Sequence, residues 1–124
     1  MAFKRFERTG ARGYTPKLSI WTSGQIGINQ GAIDRYKLDK YGFIVLYYDS
    51  DNKKIGLEFT NDGAEKGTIK LITRPTGGYS FSARSFLGIN DIDYSETKQY
   101  DLYYDKDNNL YVADLALYEN KGVY

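Results

Sequence analysis

The chain contains neither cysteine nor histidine. It therefore cannot form a disulfide bond, use a thiol nucleophile, hold zinc through Cys and His, or transfer protons through imidazole. It also lacks a Gly-x-Ser-x-Gly sequence, a phosphate-binding loop and a dinucleotide fingerprint. We therefore expect a protein that is not an enzyme and that uses no metal or cofactor.

Long hydrophobic runs are missing as well. No apolar stretch approaches the roughly 18 residues that a membrane-spanning helix needs. No positively charged start leads into a hydrophobic stretch, as a secretory signal would. We therefore expect a cytoplasmic protein without a membrane partner.

What the chain does contain is an internal similarity. Residues 46–52 and 102–108 share the pattern Leu-Tyr-Tyr-Asp-x-Asp-Asn, with six of seven positions identical at an offset of 56. The likeness extends upstream, so that one copy covers residues 17–59 and the other covers 67–115. With 124 residues the chain is one domain by size, and each copy alone would be too small for a stable core.

Each copy has the pattern of two strands, a short helix and two further strands. Asn29 and Ser82 stand at equivalent positions, where each is expected to cap its helix. The apolar helix positions correspond in pairs, Ile33 with Phe86 and Tyr36 with Ile89. The nearly continuous apolar run Phe43–Tyr48 predicts a strand that is buried on both faces.

These patterns predict an α+β fold. We expect two tandem ββαββ repeats packed as one pseudo-twofold domain, with a mostly antiparallel sheet and two short helices. The expected organisation is a flexible arm over residues 1–16, a duplicated domain over 17–116 and a tail over 117–124.

The repeated Asp-x-Asp-Asn sequence invites a calcium hypothesis, because clustered carboxylate and amide oxygens suit this ion. The glycine and distal glutamate of a helix-loop-helix calcium loop are missing, since Lys53 and Lys54 follow the first copy. Asp and Asn also favour tight hairpin turns. We therefore predict two turns and no metal site.

The charge is unevenly distributed. Residues 1–17 carry a net charge of +4, whereas the rest of the chain carries −3. A basic arm on an acidic body suits phosphate contact, although a solvated terminus has the same composition. The predicted nucleic-acid contacts in the arm are Lys4, Arg5, Arg8, Arg12 and Lys17.

Four further cations are predicted contacts: Arg35, Lys37, Arg74 and Arg84. Arg74 falls in the turn before Tyr79, and Arg84 falls in the first turn of the second helix. Solvated surface charge is the alternative interpretation for each of them.

Tyrosine is strongly enriched, with 13 in the chain. Its ring suits the half-buried face of a sheet, which is the ordinary interpretation. Stacking with bases or binding of a partner is the functional alternative.

The order of strand, Ser-Gly turn, strand, short helix, strand and Asp-rich hairpin resembles the swapped-hairpin module of AbrB/SpoVT-type regulators. The similarity covers residues 17–59 and, more loosely, 68–115. It implies a single-chain version of the family's intertwined dimer and a role in DNA binding. The family's Arg is replaced here by Gln25 and Tyr79, and its Pro by Asn29 and Ser82.

The sequence thus predicts a small nucleic-acid-binding regulator that contacts phosphates through its basic arm. The alternative is a small adaptor or inhibitor, from a virus or mobile element. It would bind a protein or a small nucleotide ligand through a Tyr-rich surface or a cleft between the repeats.

Overall fold

The computed structural model describes residues 15–120, which form one nine-stranded sheet and two short helices. The elements in chain order are β1 Lys17–Ile20, β2 Gln25–Ile28, α1 Gln30–Tyr36, β3 Phe43–Asp49, β4 Lys54–Thr60, β5 Thr68–Lys70, β6 Ile72–Thr73, β7 Tyr79–Ser82, α2 Arg84–Ile89, β8 Lys98–Asp105 and β9 Leu110–Asn120.

The sheet is nearly closed on itself. Its strand order is β5-β3-β4-β9-β8-β1-β2-β7-β6, so the two edge strands follow each other in the chain with only Leu71 between them. Leu71 is buried, and its N–H donates to the carbonyl oxygen of Gly42 at 2.9 Å. Curling brings the two edges together, which leaves few backbone groups without a partner.

This architecture contradicts the predicted fold class. The ββαββ tandem repeat packed about a pseudo-twofold is not what forms; the protein has a mostly antiparallel, nearly closed sheet with two helices. Strands from the two halves pair with each other: β1 with β8, β2 with β7 and β4 with β9. The physical reason is that the edge strands of each half carry backbone N–H and C=O groups that need partners. Strands of the other half supply these hydrogen bonds.

The core lies inside the curled sheet. In β1 and β2 the inward side chains Leu18, Ile20, Ile26 and Ile28 are 0–1% exposed. The helices contribute Ala32 and Ile33 from α1 and Leu87 from α2. The described residues contain no helix that is long and apolar enough to cross a membrane.

The two helices begin differently, contrary to the expectation of equivalent caps. Asn29 caps α1, with its side-chain oxygen accepting the N–H of Ala32 at 3.0 Å, as predicted. Ser82 instead belongs to β7 and pairs with Gln25, and α2 starts after Ala83 without a side-chain cap. The predicted stripe of α2 also fails at its end, because Ile89 is 81% exposed.

The expectation for β3 is wrong in one respect. Ile44 is fully buried, but Tyr47 is 44% exposed, so the strand is not buried on both faces. The outward side of β3 therefore faces solvent rather than a second layer, because the curled sheet encloses the core on one side only.

The two predicted hairpin turns are confirmed. The Asp49 carboxylate accepts the N–H groups of Asp51 at 3.1 Å and Asn52 at 3.2 Å, and the Asn52 side-chain amide at 2.8 Å. Asp105 makes the equivalent contacts in the second turn. The Asn52 side chain is the main cause that lowers the pKa of Asp49, which holds the carboxylate ionised in the turn.

Candidate nucleic-acid interface

Trp21 lies on the outer face of β2. It follows β1 directly, and the turn is closed by hydrogen bonds from the Trp21 N–H to the oxygen of Gln25 and from the Gly24 N–H to the oxygen of Trp21, both at 2.9 Å. Ile26 and Ile28 point inward, so Gly27 faces outward between them. A methyl group at Gly27 would collide with the indole, which shows that the ring lies directly over the backbone of β2.

Arg74 reaches the same ring from a glycine turn. The turn is closed by hydrogen bonds between Arg74 and Gly78 and between Gly77 and Arg74, each at 3.0 Å. Gly77 and Gly78 have φ angles of 104° and 89°, which side chains other than glycine rarely adopt. The guanidinium carbon of Arg74 lies 4.7 Å from the centre of the Trp21 ring, within the range of a cation–π contact.

Arg84 lies at the other end of β2, beside the β1–β2 turn. Its aliphatic stem covers Gly24, where an added methyl group would meet the Arg84 Cγ. The N–H of Ala83 donates to the oxygen of Gly24 at 3.0 Å, which holds the start of α2 against the β1–β2 turn. Arg84 itself is exposed. We call Trp21, Gly24, Gly27, Arg74 and Arg84 the Trp21 surface.

The chain enters this region near the Arg74 turn. The side-chain amide of Asn29 donates to the oxygen of Thr15 at 3.0 Å. The neighbouring Gln30 accepts the N–H of Gly78 at 3.0 Å. Thr15, the first described residue, therefore lies at the same end of β2 as the glycine turn that carries Arg74.

The structure brings together only some of the predicted site residues. Lys4, Arg5, Arg8 and Arg12 lie outside the described residues. Lys17 forms an ion pair with Asp101 at 2.6 Å on the β1–β8 side. Arg35 and Lys37 lie at the far end of α1, where Lys37 ends the helix with a φ of 55°. Of the predicted cations in the described part of the chain, Arg74 and Arg84 lie at the two ends of β2, and Arg74 contacts Trp21.

Two carboxylates lie near the ends of β2. Asp34 accepts a hydrogen bond from the Gln30 side chain at 2.9 Å. Asp93 lies beside Thr22 in a shallow hollow next to the β1–β2 turn, and the Ser95 backbone N–H lowers the pKa of its carboxyl group. One carboxylate therefore lies near each end of β2, Asp34 beside Gln30 and Asp93 beside Thr22.

A second concave region lies on the outer face of the central strands. Gly56 forms its floor, and it pairs with Tyr47 on one side and Val112 on the other. The groove has a volume of about 210 Å³ and contains Lys54 together with Asp49 and Asp105 from the two hairpin turns. We call this region the hairpin groove. Its lining residues are Tyr47, Tyr48, Asp49, Lys54, Gly56, Asp105, Asn108, Leu110 and Val112.

Trp21 was not among the site residues predicted from the sequence. The signal that could have found it is the pairing of the one tryptophan in the chain with a glycine inside the next strand. Glycine within a strand often marks the close approach of another group. Gly56, which forms the floor of the hairpin groove, is the same kind of signal.

The described residues hold no group of three or more acidic side chains arranged to bind a metal ion. A comparison with protein-family models, curated proteins and solved structures finds no match to this chain. The functional argument therefore depends on the geometry of these two surfaces.

Proposed function

We propose that the protein is a small non-enzymatic regulator that binds nucleic acid. The observation that carries this proposal is the contact of the Arg74 guanidinium with the Trp21 ring, and the exposed Arg84 lies beside Gly24 at the other end of β2. Arginine donates to phosphate oxygens in a fixed planar geometry, and aromatic rings stack with bases. The Trp21 surface combines both kinds of contact.

The basic arm supports the same function. Four of its cations precede Thr15, and Thr15 lies at the end of β2 that carries the Arg74 turn. Contacts between cations and phosphates release counterions and therefore weaken steeply with salt. The arm would add four cations to the two, Arg74 and Arg84, of the Trp21 surface.

The arm is tested by salt dependence. Binding of the full chain and of a chain lacking residues 1–13 is measured by fluorescence anisotropy with labelled single-stranded DNA, RNA and duplex DNA. Affinity decreases with salt, so the slope of log affinity against log salt is negative. If Lys4, Arg5, Arg8 and Arg12 each neutralise one phosphate, the deletion should make this slope shallower by about three units. An unchanged slope with every probe would exclude the arm as a phosphate contact.

The folded surface is tested with two double variants of equal charge change. Arg74→Ala with Arg84→Ala removes both cations of the Trp21 surface, and we expect the salt slope to fall by about two units. Arg35→Ala with Lys37→Ala removes two cations at the far end of α1 and serves as the control. Equal binding by the two double variants would contradict the assignment of the interface.

A second candidate function is favoured by the hairpin groove. Its wall includes the exposed Tyr47, whose hydroxyl donates to Glu58 at 2.5 Å. Hydrogen bonds from Asn52 and Asn108 lower the pKa values of Asp49 and Asp105, so both carboxylates are ionised at neutral pH. The two carboxylates near Lys54 repel a phosphate group and attract a basic side chain of a partner. The groove thus favours a protein partner over a nucleotide.

A pull-down from native lysate separates the two functions. Wild-type protein, the double variant at Arg74 and Arg84, and Tyr47→Ala serve as baits, and captured nucleic acid and protein are both measured. Tyr103→Ala is the control, because Tyr103 is exposed to a similar extent but does not line the groove. Loss of a protein partner with Tyr47→Ala alone would establish the second function.

A further inference from the structure

The indole of Trp21 lies on a strip of small residues. Gly27 pairs with Ser19 on one side and with Ser80 on the other, so the three residues form one row across β1, β2 and β7. Paired residues project from the same face of an antiparallel sheet. The outward face therefore carries only small side chains directly under the ring, and two larger residues border the row, Ile72 next to Ser80 and Gln99 next to Ser19.

The ring is contacted from two directions. Its edge lies over Gly27, and the Arg74 guanidinium approaches it at 4.7 Å. Trp21 is nevertheless only half-buried, so part of this residue remains in contact with solvent. A guanidinium that contacts an aromatic ring through its face keeps its in-plane N–H groups available for phosphate oxygens.

We propose that the Trp21 surface is a binding site for single-stranded nucleic acid. An unpaired base stacks against the Trp21 indole, the phosphate next to it is bound by Arg74, and a further phosphate is bound by Arg84. This inference rests on the proposed nucleic-acid-binding function and adds selectivity for single strands. In a duplex each base face is covered by its neighbours, whereas an unpaired base offers its face for stacking.

Trp21 also provides the measurement, because it is the one tryptophan in the chain. A ten-nucleotide oligothymidine is titrated into the full-length protein while tryptophan fluorescence is recorded. We expect quenching that saturates with binding. The same oligonucleotide paired with its oligoadenosine complement should bind through charge without quenching the fluorescence.

Variants assign the interaction to the ring and to the planar cation. Their affinities are measured by anisotropy of a labelled oligothymidine. Trp21→Ala should weaken single-strand binding by about 5- to 150-fold, which corresponds to one stacked base, and Trp21→Phe should recover part of the loss. Arg74→Lys keeps the charge but removes the planar contact, and it should weaken single-strand binding more than duplex binding.

The outcomes separate this inference from the proposed function. Two results together would overturn the stacking site while leaving nucleic-acid binding intact. These are single-strand binding that does not quench the tryptophan fluorescence, and a single-strand affinity of Trp21→Phe equal to that of the wild type. The absence of binding to every nucleic-acid probe would overturn both. Urea unfolding of each variant is measured in parallel. If Trp21→Ala does not fold, quenching of the wild type and the affinity of Trp21→Phe decide the question.

Discussion

The side-chain oxygen of Asn29 accepts a hydrogen bond from the backbone N–H of Lys17 at 3.0 Å. The same oxygen accepts the N–H of Ala32, and the side-chain amide donates to the oxygen of Thr15. One side chain therefore caps α1 and also ties this helix to the start of β1, where the basic arm enters.

Replacing Asn29 with Ala should lower the free energy of unfolding by about 1–3 kcal/mol. The variant loses a helix cap and the two hydrogen bonds that the Asn29 side chain accepts from the backbone N–H groups of Lys17 and Ala32. Ser82→Ala is the matched control, because Ser82 is exposed and makes no cap. Its effect should stay within about 0.5 kcal/mol in urea titrations. Equal effects of the two substitutions would contradict the capping role of Asn29.

Gly27→Ala should destabilise the protein by about 1–3 kcal/mol, because the new methyl group collides with the Trp21 indole over β2. Displacement of the ring should also shift the tryptophan emission spectrum of the folded protein. Gly88→Ala is the control. Nothing lies near the added Cβ at that position in α2, so we expect stabilisation by up to about 1 kcal/mol. A neutral Gly27→Ala with unshifted emission would show that the ring does not lie on the strand.

Asn52→Ala should raise the pKa of Asp49 toward its ordinary value, because the Asn52 side chain is the main cause that lowers it. NMR titration of the side-chain carboxyl carbons measures this change, and Asp105 in the other turn should keep its lowered pKa. Since folding lowers the pKa of Asp49, its contribution to stability is present above the unfolded pKa. That contribution is lost as the pH falls through the folded value. An Asp49 pKa that does not respond to Asn52→Ala would contradict the turn geometry.

Ile33→Ala should cost about 2–5 kcal/mol, because Ile33 on α1 is only 5% exposed within the core. Ile89→Ala on α2 removes the same atoms from a side chain that is 81% exposed, and it should change stability by less than about 0.5 kcal/mol. Chemical denaturation of both variants provides the comparison. Similar losses would mean that Ile89 is buried and that α2 packs differently from the structure described above.

The two hairpin turns and one helix cap were correctly predicted from the sequence, whereas the predicted equivalence of the two halves was wrong. Asn29 and Ser82 occupy matching positions, but only Asn29 caps a helix, because Ser82 is drawn into β7 by its pairing with Gln25. The candidate site shows the same division. Arg74 and Arg84 were predicted as contacts, but Trp21, which Arg74 contacts, was not, since this contact depends on how β2 lies beside the Arg74 turn.

What the sequence by itself determined is local. The Asp49 and Asp105 turns form through bonds between residues two or three positions apart, so composition and spacing are enough to specify them. Only the tertiary structure decided which strands pair, that the two edges of the nearly closed sheet meet near Leu71, and that Trp21 contacts Arg74. The reason is that every antiparallel strand offers the same backbone donors and acceptors. The choice of partner depends on closing the sheet and burying its core as a whole, which no short segment encodes.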